Sequence, residues 1–395
     1  MIVNLRGILG ALIAGLIGLA GIQAEDTPQR VCSYDQFVVR SDFDAGRING
    51  CEMQGDGTVR LLITPEDEPP INPSPWYSFR IEPNQQVEVT LDLVYQHAKH
   101  RYWPKVSRDG IHWYFLASEA VKSLNDRVIR LSLGTQSQIL HVSAQEVFTH
   151  QGHQAWAAAM AENAKMQLSV LGQSKGGLPL YKLESSAEDG SRDYIVLIGR
   201  QHPPEVTGAL ALLAFSETIM SDTETARMFR QQFGVIIVPE LNPDGVQQGH
   251  WRHSLGDIDL NRDWVKFTQP ETQAIRRELE RFHEDDRIWF FSDFHSTRRN
   301  VFYVQADNER TNPEGLTRAW LSDAEAREGV YPFEYAERPV TETPTSKNYV
   351  FTTFGVPAIT YEVGDETDRQ AIANSARIFA EELMKNLLER KAVGE

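Results

Sequence analysis

This 395-residue chain has very little cysteine and no surplus of positive charge. Only Cys32 and Cys51 occur, far apart and with no histidine between them, so they make a poor zinc site. In an oxidising compartment these two residues would form one disulfide that closes a loop of about 20 residues, and two buried free thiols are the alternative. The net charge of -16 argues against nucleic acid as a partner, because its phosphates require clustered Lys and Arg.

The chain also lacks internal repeats, low-complexity segments and a long uninterrupted hydrophobic run. Its apolar N-terminal stretch, Ile8 to Ile22, contains four glycines and is short for a membrane-spanning helix. Arg6 before this stretch and Ala24 after it complete the pattern of a signal peptide over residues 1–24. We therefore expect a periplasmic or secreted protein with no stable membrane span after cleavage, whereas an uncleaved segment would leave it membrane-anchored.

Residues 25–145 have the texture of an all-β domain. Short runs of β-forming residues alternate with turns rich in Gly, Asp and Asn. The runs are Val59–Ile63, Trp76–Ile81, Val87–Leu91 and Val128–Leu133. Several short strands within about 120 residues predict an N-terminal β-sandwich domain.

Residues 150–392 alternate between strand-like and helical segments, and the length of the chain also favours a second domain. The predicted strands include Ile195–Ile198, Val235–Val238, Trp289–Phe291 and Ala358–Tyr361. The predicted helices are Ala155–Gln167, Thr207–Met220, Glu271–His283 and Arg369–Lys391. This order predicts an α/β fold with a mixed, mostly parallel sheet flanked by helices, which binds ligands at the carboxyl ends of its strands.

The segment His202-Pro203-Pro204-Glu205 follows the strand that ends at Ile198 and offers two possible ligands for a divalent cation. A catalytic zinc ion takes three protein ligands and leaves one position open. His295 also lies at a strand end and is the best third ligand, whereas His253 is in a polar loop. A single histidine is more often structural, but three candidates at strand ends favour one zinc site.

Further polar residues follow other predicted strands. Glu362 could serve as a general base beside the metal. The alternative interpretation is an acidic residue exposed on the surface at a strand end. Arg252, Asn261 and Arg262 suit carboxylate recognition, and one arginine could instead stabilise an oxyanion. Asn242-Pro243-Asp244-Gly245 predicts a tight turn.

Together these motifs, in this order over residues 150 to 390, resemble the zinc metallocarboxypeptidase family. The resemblance implies that His202, Glu205 and His295 bind zinc. It further implies that Asn261 and Arg262 hold the terminal carboxylate of the substrate, that Arg252 polarises the scissile carbonyl, and that Glu362 is the general base.

The N-terminal region adds to the resemblance. The motifs Trp76-Tyr77-Ser78-Phe79 and Trp103 to Trp113 are similar to the β-sandwich that precedes the catalytic domain in the cytosolic carboxypeptidase branch. The segment Gly249 to Ser254 is similar to that branch as well. The chain is thus identified as an exported bacterial member of that branch.

Three positions either depart from the digestive relatives or lack a motif that anchors them in the family pattern. Pro204 stands where digestive relatives carry an arginine. Tyr349 lies in the general region of the family's substrate-clamping tyrosine, although no motif anchors it there. Lys347 lies where the side-chain pocket of the family is formed, and a lysine there would favour an acidic C-terminal residue; a solvated lysine is the alternative.

The leading functional hypothesis is a zinc carboxypeptidase that uses zinc-activated water to remove the C-terminal residue of a peptide or a peptidoglycan stem. One alternative is a related zinc amidohydrolase of the desuccinylase type, which acts on a small acylated amino acid. The other is a non-catalytic module that binds peptide or glycan on the same fold.

Overall fold

The computed structural model describes residues 29–283 and 287–394, so the predicted signal peptide lies outside the described residues. Within these ranges, no helix combines the length and the apolar character that crossing a bilayer requires.

The first part of the described chain forms two β-sheets. Its strands are β1 (Val31–Ser33), β2 (Phe37–Arg40), β3 (Gly50–Met53), β4 (Val59–Ile63), β5 (Ser78–Pro83), β6 (Glu88–Tyr95), β7 (Lys105–Ser107), β8 (Tyr114–Phe115), β9 (Val121–Asn125), β10 (Val128–Gly134) and β11 (Leu140–Ser143). One sheet has the order β1-β2-β5-β11-β7-β8 and the other β3-β4-β6-β10-β9. A short 3-10 helix, Ser118–Ala120, precedes β9.

Alternating side chains of both sheets build one shared core. In β4, Leu61 is buried and its neighbour Arg60 is exposed, as expected for a strand with one face in the core. The partners across the core include Phe79 of the first sheet and Leu91 of the second. Cys32 in β1 is disulfide-bonded to Cys51 in β3, which confirms the disulfide and links the two sheets.

The second part of the chain alternates between strands and helices. Its strands are β12 (Gln167–Gln173), β13 (Pro179–Ser185), β14 (Asp193–Gly199), β15 (Gly234–Val238), β16 (Arg287–Thr297), β17 (Val301–Val304), β18 (Glu334–Glu337) and β19 (Ala358–Gly364). Its helices are α1 (His150–Asn163), α2 (Val206–Ile219), α3 (Glu224–Gln232), α4 (Pro243–Gln248), α5 (Pro270–Glu280), α6 (Leu316–Glu325), α7 (Ser346–Phe354) and α8 (Arg369–Ala392), with 3-10 turns at Leu260–Arg262 and Arg281–His283.

The eight strands form one sheet in the order β12-β13-β15-β14-β16-β19-β17-β18. The four central strands, β15, β14, β16 and β19, run parallel, and antiparallel pairs occur toward the two edges. In β14, Ile195 belongs to the core on one face and Val196 to the core on the other, so both faces are covered. The predicted mixed, mostly parallel sheet flanked by helices is confirmed.

Two local predictions were wrong. The first helix spans His150–Asn163 rather than Ala155–Gln167, because the side chain of Thr149 caps its start and Gln167 already belongs to β12. Asn242 does not begin an isolated turn but caps α4, where its side chain accepts a hydrogen bond from the N–H of Gly245. Asn at an N-cap followed by Pro is a frequent helix start.

The two parts of the chain share a buried interface. Trp251, in the loop after α4, is fully buried in the core of the β-sandwich, and Val206 at the start of α2 joins the same core. The indole N–H of Trp251 donates to the carbonyl of Trp76 at 3.1 Å. The sandwich therefore rests directly against the loops at the carboxyl ends of the central strands.

Candidate active site

The structure brings His202, Glu205 and His295 together at the carboxyl ends of β14 and β16. One ligand atom from each residue lies within 4.8 Å of the others, and all three side chains are buried. Nδ1 of His202 is 2.8 Å from one oxygen of Glu205, and Nδ1 of His295 is 2.7 Å from the other. Two imidazoles and one carboxylate are a donor set that fits a catalytic zinc ion. We refer to His202, Glu205 and His295 as the metal group.

A carboxylate holds each imidazole on the side away from the other donors. Nε2 of His202 is 2.9 Å from Oδ1 of Asp259, and Nε2 of His295 is 2.8 Å from Oδ2 of Asp293. Partners of this kind fix the orientation of metal-binding histidines and leave the opposite nitrogen free to act as a ligand. The two Nδ1 atoms therefore point to a common centre.

The electrostatics of the group favour a positive charge at that centre. Burial alone would raise the pKa of Glu205, but the two imidazoles hold that pKa well below its usual range. Burial lowers the pKa of His295, whereas Asp293 and Glu205 outweigh burial and raise it well above its usual value. A metal cation would meet the same negative groups.

Glu362 lies beside this group on the neighbouring strand. In the parallel register of β16 and β19, His295 is paired with Glu362. Oε2 of Glu362 is buried and has no hydrogen-bond partner among the described residues. Burial, followed by the charge of Glu205, raises the pKa of Glu362 to about 7, which is suitable for a group that accepts and returns a proton.

Arg252 is connected to the metal group through Asp259. Its Nε donates to Oδ2 of Asp259 at 2.7 Å, while the other oxygen of that carboxylate contacts His202. Burial would raise the pKa of Asp259, but His202 and the two arginines Arg252 and Arg262 hold it well below its usual range. One carboxylate thus orients a candidate metal ligand and an arginine together.

Asn261 and Arg262 occupy the 3-10 turn that follows Asp259. The buried amide of Asn261 is 3.3 Å from Nε2 of His295, and its oxygen accepts the N–H of Ser346 at 2.9 Å. The exposed side chain of Arg262 donates to the main-chain carbonyl of Asn261 at 2.8 Å. Asn261 therefore contacts His295 on its Nε2 side, away from the common centre of the two Nδ1 atoms, and the side chain of Arg262 beside it is open to solvent.

Lys347 and Tyr349 lie on α7 and do not contact the metal group. Lys347 is buried and its ammonium donates to the carbonyl of Arg338 at 2.8 Å; burial lowers its pKa to about 8, although Glu309 acts to raise it. The ring of Tyr349 packs against Trp264 and Phe267 at 5.8 Å and 5.0 Å between centroids.

Sequence reasoning missed the roles of Asp259 and Asp293. Asp293 is two residues before His295 on the same strand, and residues i and i+2 of a strand share a face. That spacing could have placed the two side chains together. Asp259 and His202 are 57 residues apart in the sequence, and no local pattern indicates their contact.

A second group of possible ligands, Glu66, Asp67 and His253, lies where the sandwich meets the loop after α4. Nδ1 of His253 contacts the carboxylate of Asp67. Both oxygens of Glu66 accept hydrogen bonds from main-chain N–H groups of that loop. These contacts satisfy the carboxylates without a cation, so we assign this group to the domain contact.

Comparison with known families covers both parts of the chain. A family model described as zinc carboxypeptidase matches residues 153–383, which is more than half of the chain. A second model, described as cytosolic carboxypeptidase N-terminal domain, matches residues 39–143.

Individual relatives agree with these matches. The chain is similar to cytosolic carboxypeptidase 2 of Danio rerio, with 32% identity over 157 residues, or 37% of this chain; the alignment spans about a fifth (22%) of that longer relative. A metallo-carboxypeptidase from Burkholderia cenocepacia has a TM-score of 0.75 at 17% identity, covering 91% of this chain and all (100%) of that one.

A metallo-carboxypeptidase from Pseudomonas aeruginosa, solved in complex with (2-guanidinoethylmercapto)succinic acid, has a TM-score of 0.70 at 19% identity. The match covers 89% of this chain and 98% of that one. At these identities the two structural likenesses establish the shared fold.

Proposed function

This chain belongs to the zinc carboxypeptidase family, and we propose that it removes the C-terminal residue of a peptide substrate. The observation that carries the proposal is the buried group of His202, Glu205 and His295. Beside it lies an oxygen of Glu362 that has no hydrogen-bond partner in the described part of the chain. A donor set with a neighbouring free carboxylate supports hydrolysis better than binding alone.

In the proposed reaction, His202, Glu205 and His295 hold one zinc ion. Bound zinc supplies a Lewis acid that polarises a carbonyl and makes water nucleophilic near neutral pH. Glu362 accepts a proton from the attacking water as the oxygen adds to the scissile carbonyl carbon. When the C–N bond breaks, Glu362 returns that proton to the departing amine nitrogen, so charges and protons balance.

The arginines divide the remaining work in this proposal. Arg252, held by Asp259, donates to the carbonyl oxygen as negative charge develops there. The exposed guanidinium of Arg262 forms an ion pair with the substrate's terminal carboxylate, and Asn261 lines the same place. If Arg262 binds the substrate in this way, the substrate must end in a free carboxylate.

A peptide library read by mass spectrometry tests this function. Zinc-loaded protein should shorten peptides by one C-terminal residue, leave matched C-terminal amides intact and lose activity with a chelator. Release of the acyl group from N-acyl amino acids, with no peptide shortening, would instead identify a deacylase. Hydrolysis of neither class would identify a binding module.

We propose that Lys347 confers a preference for an acidic C-terminal residue, as found in some peptides or peptidoglycan stems. Its position on α7, next to Ser346 whose N–H meets Asn261, supports this assignment. Lys347→Met should lower kcat/KM for peptides ending in Glu more than for those ending in Gln. Equal loss for both peptides would reject the preference while leaving the peptidase function in place.

We also propose that the protein is exported through the signal sequence in residues 1–24. The disulfide between Cys32 and Cys51 supports this, because such bonds persist mainly in oxidising compartments. Mass measurement of the protein recovered from its native host should give a mature chain that begins at Glu25. An intact N-terminus in a cytosolic fraction would contradict export.

A further inference from the structure

The sandwich domain contacts the loop that carries Arg252 through the carboxylate of Glu66. Glu66 follows β4 and is half-buried at the boundary between the two domains. One of its oxygens accepts the N–H of Trp251 at 2.6 Å. The other accepts the N–H groups of Arg252 and His253 at 2.8 and 2.7 Å. Three consecutive main-chain donors therefore converge on one side chain.

This arrangement holds an ionised carboxylate. Burial would raise the pKa of Glu66, but the charge of His250 and the N–H groups of His253 and Trp251 lower it below its usual value. Hydrogen bonds from N–H groups to a charged acceptor are stronger than those between neutral groups. The backbone on both sides of Arg252 is thus fixed by a residue from the other domain.

The same loop is fixed a second time by its neighbours. Trp251 is fully buried in the sandwich core, and Ala45 of the sandwich donates its N–H to the carbonyl of Gln247 at 2.8 Å. Gly249 adopts a left-handed conformation where a Cβ would lie 3.1 Å from the carbonyl oxygen of Ala45. These contacts leave the loop little freedom to move independently of the sandwich.

From Arg252 the contacts continue to the metal group. Nε of Arg252 donates to Asp259, whose other oxygen contacts His202. Any shift of the Arg252 main chain would move the guanidinium relative to the carbonyl that it is proposed to polarise. Displacements of about 1 Å at such groups can lower turnover by about 100-fold.

We propose that Glu66 is a positioning residue for Arg252, so that the β-sandwich forms part of the active site. The proposal rests on the function assigned above to Arg252. Glu66 contacts neither substrate nor metal and acts through the three N–H groups. It follows that Glu66 influences turnover only while Arg252 is present.

Glu66→Gln tests this role because the amide keeps the size of the side chain. Its NH₂ group would face a main-chain N–H and at least one of the three hydrogen bonds would be lost. We expect kcat on a peptide substrate to fall about 10- to 100-fold. We expect KM to stay within about twofold of the wild type, because the proposed carboxylate site at Arg262 is untouched.

A double variant separates positioning from general damage. Glu66→Gln should cause no further loss of kcat in an Arg252→Ala background, because the residue through which it acts is gone. Full additivity of the two losses, or wild-type kcat in Glu66→Gln, would overturn the proposal.

Amide hydrogen exchange provides a readout that does not depend on activity. Glu66→Gln should accelerate exchange in a peptide that spans residues 249–254. The matched control is Glu146→Gln, which removes another half-buried glutamate from the boundary between the domains, where it pairs with Arg369 at 2.6 Å. This control should leave exchange in residues 249–254 and kcat unchanged.

The two assays distinguish failure of this proposal from failure of the proposed function. Unchanged exchange in residues 249–254 of Glu66→Gln would reject the positioning role even if the wild type is a peptidase. If the wild type hydrolyses no peptide but exchange accelerates, the peptidase function fails, while Glu66 still determines the conformation of the Arg252 loop.

Discussion

At the scale of single residues, the metal group depends on carboxylates that would not themselves bind the metal. Asp293 is completely buried, and its Oδ2 accepts from the side chains of Gln201 and Ser346 as well as contacting His295. These neighbours fix Asp293, which in turn fixes the ring of His295. The geometry of the candidate metal site therefore depends on side chains that contact the candidate ligands from behind.

Replacement of Asp293 by Asn should weaken zinc binding without removing a ligand. The amide retains the shape of the side chain but loses the negative charge that supports His295. We expect zinc affinity, measured by competition with a chelator, to fall about 10- to 100-fold. The exposed Asp126→Asn should leave affinity unchanged, and an unchanged affinity in Asp293→Asn would contradict this role.

The buried ammonium of Lys347 should make stability depend on pH. Burial lowers its pKa to about 8 in the folded chain, from the value of 10.5 expected when unfolded. The unfolded chain therefore binds more protons between these pH values, and stability rises with pH across that interval. The resulting decrease in the free energy of unfolding is greatest below pH 8 and amounts to about 3 kcal/mol at most.

Lys347→Met removes the buried ammonium, so the stability of this variant relative to the wild type should be highest below pH 8. That advantage should shrink as pH rises from 8 to 10.5, while the lost hydrogen bond to Arg338 contributes a constant difference. Urea unfolding of both proteins at pH 7 and pH 10 measures the change. A difference that is the same at both pH values would show that Lys347 is not titrating in this range.

At the scale of elements, the start of α2 is joined closely to β16. The N–H of Gly208 and the hydroxyl of Thr207 both donate to Oγ of Ser296 at 2.8 Å. A Cβ on Gly208 would lie 2.3 Å from the carbonyl oxygen of His295, which is main chain and cannot rotate away. Because α2 begins directly after Glu205, this contact sets the distance between the candidate metal ligands Glu205 and His295.

Gly208→Ala should consequently separate α2 from β16 and displace Glu205 from His295. We expect a destabilisation of about 1–3 kcal/mol together with weaker zinc binding. Gly55→Ala is the matched control, because a Cβ there meets nothing within 4 Å. Normal zinc affinity in Gly208→Ala would show that the helix can shift without moving the ligand.

The sequence predicts the centre of the sheet better than its edges. The apolar runs of β14, β15 and β16 are buried on both faces, and such continuous runs are distinctive. By contrast, β18 (Glu334–Glu337) has only four residues, with a glutamate at each end, and lacks the apolar run that would predict a strand. Its place at the sheet edge comes from pairing with β17, which depends on tertiary contacts.

The grouping of His202, Glu205 and His295 was predictable for the same reason, since these residues lie near the carboxyl ends of those central strands. His202 and His295 stand at strand ends, where an α/β sheet collects its functional side chains. Glu66 could not be inferred this way, because its partners are main-chain N–H groups about 185 residues further along the chain. Contacts between domains leave no periodic pattern in a sequence.

At the scale of the whole molecule, buried ion pairs connect the two domains near the metal group. Arg101 lies between β6 and β7, and Asp365 lies just after β19. Arg101 donates two hydrogen bonds to the carboxylate of Asp365, at 2.8 and 3.0 Å. Both side chains are almost fully buried. Removal of one partner would leave the other charge buried without compensation.

Arg101→Met should therefore destabilise the protein by about 3–5 kcal/mol, as measured by urea unfolding. Adding Asp365→Asn should recover part of this loss, because the isolated charge is removed. Lys99→Met disrupts an exposed ion pair with Asp126 and should leave the unfolding midpoint unchanged. A midpoint for Arg101→Met as high as that of this control would show that the domains are only loosely associated.

The most direct test of the account measures zinc content and peptide hydrolysis in one preparation of the wild type and one of Glu362→Gln. Because Glu362 is assigned to proton transfer and not to metal binding, both proteins should contain about one zinc ion per chain. Only the wild type should release C-terminal amino acids. A Glu362→Gln variant that hydrolyses peptides as fast as the wild type would contradict the account, as would full activity in metal-free protein.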